Sequence, residues 1–206
     1  MSPRARLVLA SASPRRRDLL GGAGIDFEVD PAGVDESSGE RDPRRLAEEL
    51  ASRKAREVSR RRPEDWVLGA DTVVCVAGEL LGKPSGAAEA RRMLETLSDS
   101  VHEVVTGVCL VKPDGSAVTT SETTRVHMRP IAADEIEAYV ASGEWRDKAG
   151  GYAIQENADA FVTELAGGGF DNVVGLPVDL VRRLLEESGF SPDAEGTDLA
   201  SGPGDR

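Results

Sequence analysis

Cysteine, histidine and lysine are scarce in this chain, and each scarcity removes a class of chemistry. Two cysteines cannot build a disulfide framework. Because Cys75 and Cys109 each sit inside an apolar, strand-like run, both read as buried reduced thiols and not as metal ligands. The two histidines, His102 and His127, lack the spacing of a metal site and read as strand or loop residues. Positive charge is also in deficit: a net charge of -12 excludes a general nucleic-acid surface. Any anionic ligand must then be held by local cations. No apolar run is long enough to span a bilayer, and the run at 7–10 is too short for the core of a signal peptide. The expected setting is therefore the cytoplasm, with no membrane contact. Aromatic residues make up 4% of a 206-residue chain that is 39% hydrophobic, so the core should be aliphatic, enough for one α/β domain or two small lobes.

Of the 25 basic residues only four are lysine: Lys54, Lys83, Lys112 and Lys148. In an arginine-rich background a lysine can mark a place where a compact ammonium is needed and a guanidinium fork is not, although Lys112, beside a Pro-Asp-Gly turn, reads as incidental. Lys54 falls on the apolar stripe of the helix predicted from Asp42 and Pro43 onward, between Leu50 and Val58, so its stem points toward the protein. Its head either snorkels past the helix to water or is a second phosphate-binding group beside the arginines near the start. The next segment, "WVLGADTVVCVAGELLGKP", is a nearly continuous apolar run, suited to a strand covered on both faces with a tight turn near Gly78. Asp71 interrupts that run. A carboxylate among Val67, Leu68, Val73 and Val74 carries a desolvation cost of several kcal/mol unless compensated, so a lysine or a metal is expected beside it. Lys83, beyond the hairpin, can return to the same end of the sheet.

A second anomaly lies near the start, in "LVLASASPRRRDLLGGAG". Ser13 and Pro14 predict a helix N-terminus after a strand, which places Arg15, Arg16 and Arg17 at the positive end of the helix dipole. Either the three guanidiniums splay into water, or they flank an anion that the free backbone N–H groups and the Ser11 and Ser13 hydroxyls also hold. Downstream, Ser85 reads as the cap of a helix through Met93 and Leu97, two strands meet at the Pro-Asp-Gly turn, and helices follow through Ile136 and from Pro177 to Gly189. The stretch between them carries a glycine-rich loop. Residues 191–206 are poor in apolar side chains and predict a disordered tail.

In order, "LASASPRRRDLL", "SRKA", "GADTVV", "GKP", "TGVCLV", "DKAGGYAIQ" and "VVGLP" resemble the Maf family of nucleoside triphosphate pyrophosphatases over roughly residues 6–188. No Walker-type P-loop is present. The resemblance implies a single domain over residues 1–190 of α/β class, with an elongated mixed β-sheet flanked by helices and two lobes around a central cleft. It further implies hydrolysis of a nucleoside triphosphate to the monophosphate and pyrophosphate, a divalent metal (Mg2+ or Mn2+), a homodimer, and a role in clearing non-standard nucleotides. Carried over by position, Ser11, Ser13, Arg15, Lys54 and Lys83 would hold phosphates, with Lys54 and Lys83 also catalytic. Glu36 and Asp71 would serve the metal and the attacking water, while Arg16, Thr72 and Gln155 match specificity positions of the branch that cleaves dTTP and UTP. A glutamine amide suits the N3–H and O4 of uracil or thymine. Two other readings use the same residues: a 7-methyl-GTP pyrophosphatase, whose branch lacks the "GGYAIQ" motif, and a nucleotide-sensing regulator of septum formation, which would not need both Glu36 and Asp71.

Overall fold

The computed structural model describes residues 6–190; the tail expected at 191–206 lies outside the described residues. Two long apolar runs and the threonine-rich segment after them become long strands. β3 (Trp66–Val76), β5 (Val101–Val111) and β6 (Ala117–Met128) form an antiparallel ladder, with β6 turning back from β5 at the Pro-Asp-Gly turn. On the outer edge of β3 lies β1 (Leu7–Leu9), parallel to it and to the two-residue β2 (Glu28–Val29) beyond. The same edge further along carries β4 (Glu79–Leu81), paired antiparallel through the turn at Gly78. β7 (Val162–Ala166) closes the far side on β6, so the mixed sheet runs β2-β1-β3-β5-β6-β7.

Pairing with β1 ends at Leu68 and pairing with β4 starts at Val74, which leaves residues 69–73 of β3 with no strand partner on that edge among the described residues. Asp71 and Thr72 occupy this window. Alternation along the strand sends them to opposite faces. On the face of Val67, Gly69, Asp71 and Val73 lies α2 (Pro43–Ser59), capped by Asp42, whose carboxylate accepts the Arg45 N–H at 2.9 Å. On the face of Leu68, Ala70, Thr72, Val74 and Val76 two separate apolar cores form. Leu68 and Ala70 pack with Leu20 of α1 (Pro14–Gly22) and with Val181 and Leu184 of a C-terminal helix, Val178–Ser188. Val74 and Val76 pack with α3 (Ala87–Leu97) and α4 (Ala133–Ser142). Thr72 lies along the strand between Ala70 of the first core and Val74 of the second.

Four local expectations change. Gly86, not Ser85, occupies the N-cap of α3; the Ser85 N–H and hydroxyl both donate to Glu89, at 2.7 and 2.6 Å. The stretch around the glycine-rich loop is more ordered than a loop: it contains β7 and a short helix, α5 (Phe170–Val174), so that the C-terminal helix is α6. Its residues are short of periodicity because the segment is held by side-chain bonds to β5 and β6 and not by an amphipathic stripe. Lastly, Cys109 is buried but Cys75 only half-buried, both thiols being free, and Lys112 is not incidental, since its ammonium donates to the Ser188 carbonyl at 3.1 Å.

Candidate active site

Two glycines let α2 come unusually close to the sheet. A Cβ on Gly69 would stand 2.3 Å from the Ala51 carbonyl oxygen, and one on Gly107, directly opposite Asp71, would stand 2.3 Å from the Ala47 carbonyl carbon. Ala47, Ala51 and Ala55 supply the matching small surface on the helix. At this separation the Lys54 side chain reaches across the face of β3, and its Nζ lies 2.6 Å from Asp71 Oδ1 and 2.6 Å from Glu36 Oε1. The Lys54 and Asp71 side chains are only 10% and 11% exposed, so each needs an opposite charge beside it; Asp71 has Lys54, and Lys54 has both Asp71 and Glu36. The snorkelling alternative is thereby set aside. Lys83 Nζ approaches the second Glu36 oxygen at 3.6 Å. Burial pushes the Glu36 pKa up, but the bond to Lys54 and the charges of Lys54 and Lys83 outweigh it and hold the carboxyl below its ordinary value.

The three arginines of α1 divide. Arg17 is exposed and lies 3.7 Å from Asp18. Arg15 stays at the cleft mouth, where its guanidinium donates to the Asp147 carbonyl on the opposite wall at 3.4 Å. Arg16 turns inward: Nε donates to the Gly175 carbonyl at 2.8 Å, one terminal nitrogen to Ser11 Oγ at 3.2 Å and the other to Thr72 Oγ1 at 3.1 Å. Its pKa is lowered, chiefly by burial, with Asp71 opposing the shift. Gly175 has a φ of +129°, which a side chain would strain. Ser13 is the N-cap by backbone geometry only; its side chain makes no cap bond, and its N–H donates to Ser11 Oγ at 3.3 Å. Ser11 Oγ therefore accepts twice, and its own proton is left to donate.

These groups face one cavity of about 580 Å³, within the usual range for a small-molecule site. Its lining includes Ser11, Ser13, Arg15, Arg16, Glu36, Lys54, Asp71, Thr72, Lys83 and Gln155, all ten residues singled out from the sequence. The lining is charged around Lys54 and apolar where Val74, Val104, Val173, Val174 and Tyr152 of one core meet it. Gln155, the last residue of "GGYAIQ", is exposed and lines the cavity. Sequence reasoning did not single out Arg146, which stacks on Trp145 with its guanidinium 4.8 Å from the ring centre, or Lys148, which is buried and bonded to Glu156 and the Glu144 carbonyl. The low lysine count was the available signal for Lys148.

Among the described residues no group of three or more His, Cys, Asp or Glu could hold a metal ion. What the site offers is two carboxylates sharing one ammonium, each with a second oxygen not bonded to Lys54. A hard divalent cation fits such a donor set when substrate oxygens and water complete its shell.

Residues 6–188 match the family model described as "Maf-like protein". The chain belongs to the Maf family. Relatives include a dTTP/UTP pyrophosphatase from Pyrococcus abyssi, 46% identical over 90% of this chain and 97% of its own length. Another, from Thermomicrobium roseum, is 51% identical over 89% and 84% of the two chains, and a third, from Caulobacter vibrioides, is 47% identical over 90% and 97%. The Maf fold itself is shared with more distant structures. A HAM1 protein from Coxiella burnetii superimposes with a TM-score of 0.52 at 17% identity, covering 89% of this chain and 99% of that one. The Staphylococcus aureus Ham1 protein gives 0.52 at 15% over the same shares.

Proposed function

We propose that this Maf-family chain hydrolyses dTTP and UTP to the nucleoside monophosphate and pyrophosphate. The observation that carries the reading is the Glu36–Lys54–Asp71 cluster, with Lys54 and Asp71 buried and Glu36 exposed, in a cavity that also has an apolar wall, together with relatives named for that activity. A triphosphate lies against the charged lining and its base against the apolar wall. Arg15, Lys54, Lys83 and the Ser11 hydroxyl, whose proton is free to donate, hold phosphate oxygens, and Ser13 lines the same wall. Glu36 and Asp71 would hold Mg2+ or Mn2+ through their oxygens; when bound, such an ion acidifies water and offsets charge on the phosphates. Asp71 accepts a proton from the water that attacks the α-phosphorus, and Lys54 keeps the carboxylate oriented while it does so. Charge grows on the non-bridging oxygens and on the departing pyrophosphate, where the cations already stand. Arg16, Thr72 and Gln155 contact the base.

The reading includes the homodimer, the cytoplasmic location and the clearing of non-standard nucleotides carried over from the resemblance. Among the described residues, no helix is long and apolar enough to cross a membrane. The test is to incubate the purified protein with Mg2+ and, in turn, dTTP, UTP, CTP, GTP and 7-methyl-GTP, and to quantify monophosphate and pyrophosphate. Preferential release of pyrophosphate from dTTP and UTP is expected. Preference for 7-methyl-GTP would move the base assignment and keep the reaction, and no turnover of any nucleotide would overturn both.

A further inference from the structure

The polarity of Thr72 is fixed by a residue that does not line the cavity. Thr106 lies opposite Thr72 in the β3–β5 register, on the same face, and is completely buried. Its hydroxyl donates to the Asn172 carbonyl of α5 at 2.9 Å, and its oxygen is 3.0 Å from Thr72 Oγ1. A carbonyl only accepts, so the single Thr106 proton is committed to Asn172, and in the bond between the two threonines Thr72 must donate. Asn172 cannot turn away, because its side-chain amide donates to the Val104 carbonyl at 3.1 Å and to Thr124 Oγ1 at 2.9 Å. Thr72 Oγ1 meanwhile accepts from Arg16. The lone pair that Thr72 has left can only accept.

Resting on the nucleotide reading above, we infer that Thr106 is a positioning residue for base selection, locking Thr72 as an acceptor that takes the N3–H of uracil or thymine. A locked acceptor has nothing to offer a phosphate oxygen, which places the nucleoside and not the triphosphate against it. Along the pairing edge of uracil and thymine N3–H is the one donor; cytosine has a bare nitrogen there, which would face the oxygen lone pair unpaired. With N3–H taken by Thr72, the exposed Gln155 is left O4, to which its side-chain N–H can donate, in place of the N3–H and O4 pair expected of the amide from the sequence.

The test compares kcat/KM for UTP and CTP in the wild type and in Thr106→Val, Thr106→Ala and Thr106→Ser, with melting temperatures alongside. Valine keeps the shape and frees the Thr72 proton to rotate toward CTP, so the UTP-to-CTP ratio should fall by about tenfold, the size of one ordinary hydrogen bond. Serine restores the relay and should restore the ratio. Alanine, which leaves room for a water at the Asn172 carbonyl, gives the same reading if the valine variant does not fold. An equal loss on both nucleotides, with the ratio unchanged in the folded variant, would overturn the role of Thr106 while leaving the activity in place. A change seen only between UTP and its 3′-deoxy analogue would overturn the assignment to N3–H. A wild type that turns over neither UTP nor dTTP would instead sink the functional reading on which the inference rests.

Discussion

At the scale of single residues, Lys54 holds two carboxylates that could not otherwise share so small a space. Its ammonium is 2.6 Å from each. Asp71→Asn keeps the size and an oxygen for Lys54 while removing the proton acceptor. Turnover should therefore fall by about 10²–10⁴-fold, the usual worth of a positioned general base, with the melting temperature nearly unchanged; wild-type turnover would remove Asp71 from the chemistry. His102 has a different consequence. Burial, with a smaller contribution from the charge of His127, pushes its pKa down to about 4 from 6.5, and its Nε2 is bonded to Tyr152. In this direction the unfolded chain binds the extra proton between those values, so the stability contribution is complete above pH 6.5 and is lost as the pH falls toward about 4. His102→Gln should flatten the decline in melting temperature over that window. An unchanged decline would mean that other groups cause it.

At the scale of elements, the separation between α2 and the sheet decides whether Lys54 reaches Asp71. Gly107→Ala places a Cβ 2.3 Å from the Ala47 backbone, and the helix must shift. The expected cost is about 1–3 kcal/mol of stability by overpacking and a fall in kcat larger than any change in KM, read from chemical denaturation and steady-state kinetics. Normal stability and activity would show that α2 can yield without moving Lys54. The amphipathic pattern of α2, with Asp42 and Pro43 at its start, is legible in the amino-acid sequence because capping and periodicity are local. α5 is not legible there. It is too short for a period, and Asn172 gains its meaning from Val104 and Thr124, which lie far from it in sequence.

At the scale of the whole molecule, the site sits at a gap in the sheet edge, between the end of β1 and the start of β4, where Thr72 lies between Ala70 of one apolar core and Val74 of the other. The core shared by α1 and α6 includes Phe190, whose ring meets Trp66 edge-on at 5.6 Å. Truncation after Phe190 should leave kcat/KM and melting temperature unchanged, whereas truncation after Gly189 should cost about 3 kcal/mol by emptying that position; equal behaviour of the two would show that the ring contributes nothing. By itself the sequence determined the alternation that sends Asp71 and Thr72 to opposite faces, the charge at the N-terminus of α1, the inward direction of Lys54 and the need for a cation beside Asp71. All of these follow from local geometry and the cost of burying charge. Only the tertiary structure decided which of the three arginines turns inward, which cation meets Asp71, and that Thr106 fixes the proton of Thr72. Those depend on register, on the close approach of α2 and on the anchoring of α5, and each is a contact between segments whose spacing in the sequence carries no trace of it.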